Sequence, residues 1–119
     1  MSRPSSKSDP VSAEDALRHI ASSVGAFIGR ELALRTYDFV SVSGLHRWRA
    51  FIAEPGMDFV AANHFSWVPG ASSRHDAAAR LLGHCFSFFK VDSVEELDLK
   101  LAVLGRRAVM NMLGLKERA

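Results

Sequence analysis

Apolar residues recur at three- and four-residue spacing early in the chain: Leu17, Ile20, Val24, Phe27 and Ile28 fall on one side of an α-helix. The pattern predicts a helix over 12–35. Ser12 stands at its N-cap, and Glu14 and Asp15 occupy the first turn, where carboxylates face the positive end of the helix dipole. Beside the apolar side runs a row of small residues, Ala21, Gly25, Gly29 and Ala33, each four after the last. Glycine inside a helix costs about 1 kcal/mol against alanine. The row is therefore expected to recover that loss through close approach of another helix, either the C-terminal helix of the same chain or one from a second copy. Glu31 and Arg35 follow in the favourable acid-before-base order at i,i+4. They form either a solvated last turn or a partner contact.

After this helix the period changes. Residues 37–43 alternate as Tyr-Asp-Phe-Val-Ser-Val-Ser, which suits a strand with one face buried. Residues 45–53 carry Leu45, Trp48, Phe51 and Ile52 at helical spacing before Pro55-Gly56, and a short helix is expected. The aromatic stretch 57–68 is read as one or two short strands, and 69–73 as a loop by its Pro, Gly and Ser content. A helix is predicted over 74–85, with Ala78, Leu81 and Leu82 inward, then a strand over 86–91 from its aromatic run. Ser93 and Glu96 have the spacing of a capping box and open another helix. Leu97, Leu101 and Leu104 continue its inner face. The run 97–101 also alternates as a strand would, and as a strand it would pair with 86–91. Ala108 and Met112 extend the inner face of the helix if it runs through Gly105; alternatively Gly105 ends it as a C′ residue, with a second helix over 106–113.

These elements describe an α+β fold: one small domain over 12–114, its long N-terminal and C-terminal helices packed on a small, mainly antiparallel sheet. Residues 1–11, serine-rich and without an apolar run, are expected to form a flexible tail, and 115–119 a charged one. A chain of 119 residues with 48% hydrophobic and 24% charged residues has the composition of a folded domain with one core. No segment reaches the roughly 18–20 consecutive apolar residues needed to cross a bilayer, so a cytoplasmic protein without membrane partners is expected. The single cysteine, Cys85, excludes an intramolecular disulfide and a zinc site built on several cysteines. The net charge of +2 is too small to argue for nucleic acid by itself.

Candidate chemistry is sparse. His46-Arg47-Trp48-Arg49 interleaves arginine with an aromatic residue, as phosphate- and base-contacting segments do. On the expected helix, however, Arg47 and Arg49 diverge by about 160° at roughly 100° per residue. Arg106 and Arg107 make the C-terminal end basic. The run 78–83 has an alanine four residues before a glycine, the cadence of a helix-turn-helix. Its recognition helix would read Phe86-Ser87-Phe88-Phe89, too apolar for a major groove. The five histidines show no i,i+3 or i,i+4 pair, and no HExxH, GxSxG, Walker A or dinucleotide fingerprint is present. No metal or cofactor is expected. His75-Asp76 beside Ser72-Ser73, or Cys85 with His64, would be the groups for catalysis.

The leading expectation is a non-enzymatic protein-interaction module, a small dimeric regulator or adaptor whose interface comprises Ala21, Gly25, Gly29, Glu31, Ala33 and Arg35. A nucleic-acid-binding regulator using Arg47, Arg49, Arg106 and Arg107 is the alternative. A third reading is a small enzyme or ligand-binding domain with an aromatic pocket around Phe59, His64, Trp67 and Cys85.

Overall fold

The first helix ends on a glycine, and that ending sets the fold. In the computed structural model, which describes residues 12–56 and 66–115, α1 spans Ala13–Ile28. Ser12 Oγ accepts the Asp15 amide at 3.1 Å, as expected of the N-cap. Gly29 takes a left-handed conformation, φ 74° and ψ 33°, and the amides of Gly29 and Arg30 bond back to the carbonyls of Ala26 and Gly25. This is a glycine-closed helix end. The chain then reverses into strand β1, Ala33–Val40. The helix expected over 12–35 therefore stops seven residues early, and the small row does not form. Gly29 supplies the positive φ of the cap, and Ala33 is the first residue of a strand.

Strand β2, His46–Ala53, pairs antiparallel with β1, Leu34 opposite Ile52 and Thr36 opposite Ala50. The helix expected over 45–53 is thus a strand. Trp48, Ala50 and Ile52 fit a period of two as well as Leu45, Trp48 and Ile52 fit 3.6, and pairing on both sides decides between them. Strand β3, Ser66–Ala71, completes a three-stranded sheet of order β1-β2-β3, with a register shift between Trp48 and Ala50. It overlaps the end of the expected 57–68 strands and the beginning of the expected loop; residues 57–65 lie outside the described part.

Helix α2, Arg74–Phe89, starts at Ser73, whose Oγ accepts the Asp76 amide at 3.0 Å. It runs through Gly83 and Cys85 without a turn. That removes both the helix-turn-helix and the strand expected over 86–91. Leu81, Cys85 and Phe89 lie four apart and are fully buried, so helical burial overrides the β preference of the phenylalanines. Lys90 closes the helix in the left-handed region, φ 59°. Helix α3, Val94–Leu104, has the serine half of the expected capping box, Ser93 Oγ accepting the Glu96 amide at 3.1 Å, while Glu96 Oε1 accepts the Asp92 amide at 2.6 Å, one residue before the amide a capping box uses. The rival strand over 97–101 is not formed. Gly105 separates α3 from α4, Arg106–Met112, which decides between one helix through this glycine and two divided by it.

The result is an α+β domain with all described helices on one side of the sheet. Helix α1 lies against β1, α2 lies against β2 and β3, and α1 also touches α2, α3 and α4. Leu17, Ile20, Val24 and Ile28 of α1 meet Ile52, Leu81, Phe89, Leu97 and Val109 in one core. The N-terminal helix packs on the sheet as expected, but in place of one long C-terminal helix on the sheet there are two short ones, α3 and α4, which pack mainly on α1 and on each other. Arg30 and Glu54, whose side chains are only 10% and 14% exposed, pair at 3.2 Å and tie the return from α1 to the end of β2. No described helix is long and apolar enough to cross a membrane.

Candidate interaction surface

Strand β1 lies at the edge of the sheet, and among the described residues it pairs only with β2. Its backbone polarity follows from the hairpin. The Ser41 amide donates to the Leu45 carbonyl at 2.8 Å, and Ser41 and Leu45 continue the β1–β2 register. Hydrogen-bonded pairs alternate along an antiparallel ladder, so Phe39, Tyr37, Arg35 and Ala33 direct their amides and carbonyls to β2. Leu34, Thr36, Asp38 and Val40 direct theirs outward. A row of backbone donors and acceptors therefore runs along eight residues of edge.

Beside the N-terminal half of this edge, α1 and the start of β1 enclose a cleft of about 340 Å³ lined by Arg18, Ala21, Ser22, Leu32, Ala33 and Leu34. At the other end of the strand, Val40 is 69% exposed, and Val42 and Leu45 in the hairpin turn are also open to solvent. Large apolar side chains are thus exposed at one end of the strand, and an open recess that combines Leu32 and Leu34 with Arg18 and Ser22 lies at the other.

The proposed interface residues divide between these features. Ala21 and Ala33 line the cleft together. Gly25 faces inward: a Cβ there would stand 2.5 Å from the Arg30 carbonyl oxygen and 3.3 Å from the Leu32 amide. The close approach that its sequence position implied is made by the chain's own return, not by a second helix. Gly29 is the helix cap. Glu31 is exposed in the connection, and Arg35 lies on β1 with its guanidinium 5.7 Å over the Phe51 ring.

Arg47 and Arg49, which would diverge on a helix, sit two apart on β2 and share the sheet face away from the helices. That face also carries Arg35, Tyr37, Phe39 and Phe51 through the pairs Arg35–Phe51, Tyr37–Arg49 and Phe39–Arg47. The Arg49 guanidinium stacks 4.1 Å over the Phe39 ring and donates to the Tyr37 hydroxyl at 3.2 Å. Gly70 on β3 leaves room for Phe39, since a Cβ there would lie 3.2 Å from its ring. Arg106 acts elsewhere: its Nε donates to the Ile28 carbonyl at 3.0 Å, capping the C-terminal end of α1, and Arg107 is exposed beside it on α4. The four arginines of the nucleic-acid alternative thus belong to separate features, one pair on the sheet and one on α4.

Of the aromatic pocket, Phe59 and His64 lie outside the described residues, as does the side chain of Trp67. Cys85 is fully buried in the core, where desolvation raises its thiol to about 12. A thiol held neutral in this way is not a nucleophile at neutral pH. Ser73 and Asp76 serve as the α2 cap and as a partner of Arg80 at 3.1 Å. His84 Nε2 is buried and makes no hydrogen bond. Among the described residues no three His, Cys, Asp or Glu side chains gather as a metal site.

Comparison with protein-family models, curated proteins and solved structures finds no match to this chain.

The sheet edge was missed in the sequence because the β1 signal was divided between two assignments. Leu32, Leu34 and Thr36 alternate with Ala33 and Arg35, but Gly29 and Ala33 also continue the four-residue spacing of α1, so the first half of the strand fits the helix pattern over 12–35 and only its second half carries a strand pattern.

Proposed function

We infer that this chain is a non-enzymatic protein-interaction module, a small regulator or adaptor that works by strand addition at β1. The observation that carries this reading is the outward row of amides and carbonyls at Leu34, Thr36, Asp38 and Val40, next to the α1–β1 cleft. Natural sheets usually shield such an edge, and an open one serves as a template for an extended segment. Backbone pairing supplies affinity, and the recess under Leu34 reads alternate side chains of the added strand. Proline is tolerated at an edge position whose amide faces outward, so Thr36→Pro removes one donor from the row and leaves the β1–β2 ladder in place. Affinity purification with wild type and Thr36→Pro, both checked for native circular dichroism, tests the reading. Partners retained by wild type and lost by the variant are expected; identical partner sets would refute it.

A second reading is single-stranded nucleic acid on the opposite sheet face. It is favoured by Arg35, Arg47 and Arg49 sharing that face with three aromatic rings. Binding of a fluorescent oligonucleotide that weakens steeply with salt, and is reduced by Arg47→Glu, is its required signature. Absence of binding at low salt removes it.

A further inference from the structure

We propose that the strand added to β1 is β1 of a second copy, in antiparallel register about a two-fold axis through Tyr37. This rests on the strand-addition reading and names its occupant. Antiparallel neighbours directly opposite each other lie on the same face of the sheet, so a self-paired β1 has its axis at a residue and few registers to choose from. An axis at Arg35 sets Arg35 against its own copy, and one at Asp38 does the same with two carboxylates; like charges directly opposite destabilise a sheet. An axis at Thr36 places Asp38 against Leu34. An axis at Tyr37 avoids all three.

In that register each residue of one protomer meets a suitable residue of its partner. Arg35, which also lies over its own Phe51 ring, faces Phe39, a ring that carries the Arg49 guanidinium of its own protomer. Thr36 faces Asp38, whose carboxylate holds His46 through Oδ2 at 2.7 Å and presents Oδ1 to the hydroxyl. Leu34, which lines the cleft, faces Val40, the exposed valine at the far end of the strand. One step further, Leu32 of the cleft comes beside Val42, the fully exposed valine of the hairpin turn. The outward amides and carbonyls fall opposite one another as well, because 36 with 38 and 34 with 40 are all outward-directed positions. The two exposed valines and the two cleft leucines are thus complementary halves of one surface, brought together by a two-fold. The product is a six-stranded sheet, each copy contributing the three strands of its own.

Light scattering with size exclusion on the full chain, at micromolar to millimolar concentration, is expected to give twice the monomer mass. Val40→Asp, a substitution at an exposed position, is expected to weaken the dimer on the order of 100-fold, because the symmetry buries the new carboxylate twice. Amide exchange is expected to be slow at Leu34, Thr36, Asp38 and Val40 in the dimer and fast in Val40→Asp. Under mild oxidation Tyr37→Cys is expected to cross-link to itself and Arg35→Cys is not. A monomeric wild type, or a dimer untouched by Val40→Asp, overturns the proposal, and cross-linking of Arg35→Cys alone overturns the register. Strand addition by another protein would still stand or fall on the partner set of Thr36→Pro.

Discussion

Gly25→Ala and Gly83→Ala should move stability in opposite directions, although both replace a glycine inside a helix. In an unobstructed helix the change gains about 1 kcal/mol, from the smaller backbone entropy of alanine. At Gly83 a Cβ meets nothing within 4 Å, so that gain is expected in full. At Gly25 the new Cβ would lie 2.5 Å from the Arg30 carbonyl oxygen, against the 3.4 Å at which contacts become ordinary, a shortfall of about 0.9 Å. The obstruction is backbone and has no rotamer to change. Relief requires moving the segment that carries the Arg30 amide bond to the Gly25 carbonyl, 2.8 Å, and the Arg30–Glu54 ion pair. Overpacking of this kind costs about 1–3 kcal/mol, and weakening the cap bond adds about 1 kcal/mol. After subtracting the propensity gain, a net loss of about 2 kcal/mol is expected. Urea denaturation followed by circular dichroism measures both variants, with equal m-values as the check that the transition is the same. A Gly25→Ala variant as stable as wild type would refute the close approach of the return segment to α1.

Cys85 makes stability depend on alkaline pH. Its folded thiol is raised from 9.0 to about 12, so above pH 9 the unfolded chain ionises and the folded one does not. Stability should fall by up to about 1.4 kcal/mol per pH unit between these values, and Cys85→Ala should flatten the slope; the same slope in both proteins would refute it. The thiol should also resist alkylation until the chain unfolds, which mass spectrometry reads directly. His84→Leu should stabilise by about 1 kcal/mol by removing the buried, unpartnered Nε2, and a lower urea midpoint would contradict this. Glu54→Leu leaves the Arg30 guanidinium without the carboxylate it pairs with in a site only 10% exposed and should cost about 3 kcal/mol. Adding Arg30→Met should restore part of that loss in a double-mutant cycle, and strict additivity would show the pair to be uncoupled.

The parts of the fold legible in the sequence were those fixed by local chemistry. Ser12 and Ser93 are hydroxyl caps at helix starts, and the signal that marks them spans four residues; Ser73 caps α2 in the same way, but its Pro-Gly-Ala-Ser-Ser surroundings read as loop. Gly105 divides two helices, one of the two arrangements its position allows. What escaped was decided by partners distant in sequence. Residues 46–53 satisfy helical and strand periods equally, and only the β1 and β3 neighbours select the strand. Phe86, Phe88 and Phe89 have strand preference, yet the continuous burial of Leu81, Cys85 and Phe89 keeps them helical. Gly25 and Gly29 look alike in sequence but serve opposite ends, one for space and the other for a left-handed turn. The candidate surface was hidden by that confusion: once α1 ends at Ile28, Ala33 and Arg35 pass from a helix face to a sheet edge. The same change of element brings Arg47 and Arg49 onto one side.

The hydrogen bond from Arg106 to the Ile28 carbonyl joins residues 78 apart and bears on how the chain emerges from the ribosome. Helix α1 is made before α3 and α4, which cover part of it. At about 5–20 residues per second, the end of α1 waits roughly 4–16 s for Arg106 to be added. During that interval the apolar side of α1 has only the sheet and α2 available to shelter it. The cell thus holds a partly covered nascent helix for seconds on every round of synthesis, and a chaperone that recognises short apolar helices would find its target there rather than in the finished domain.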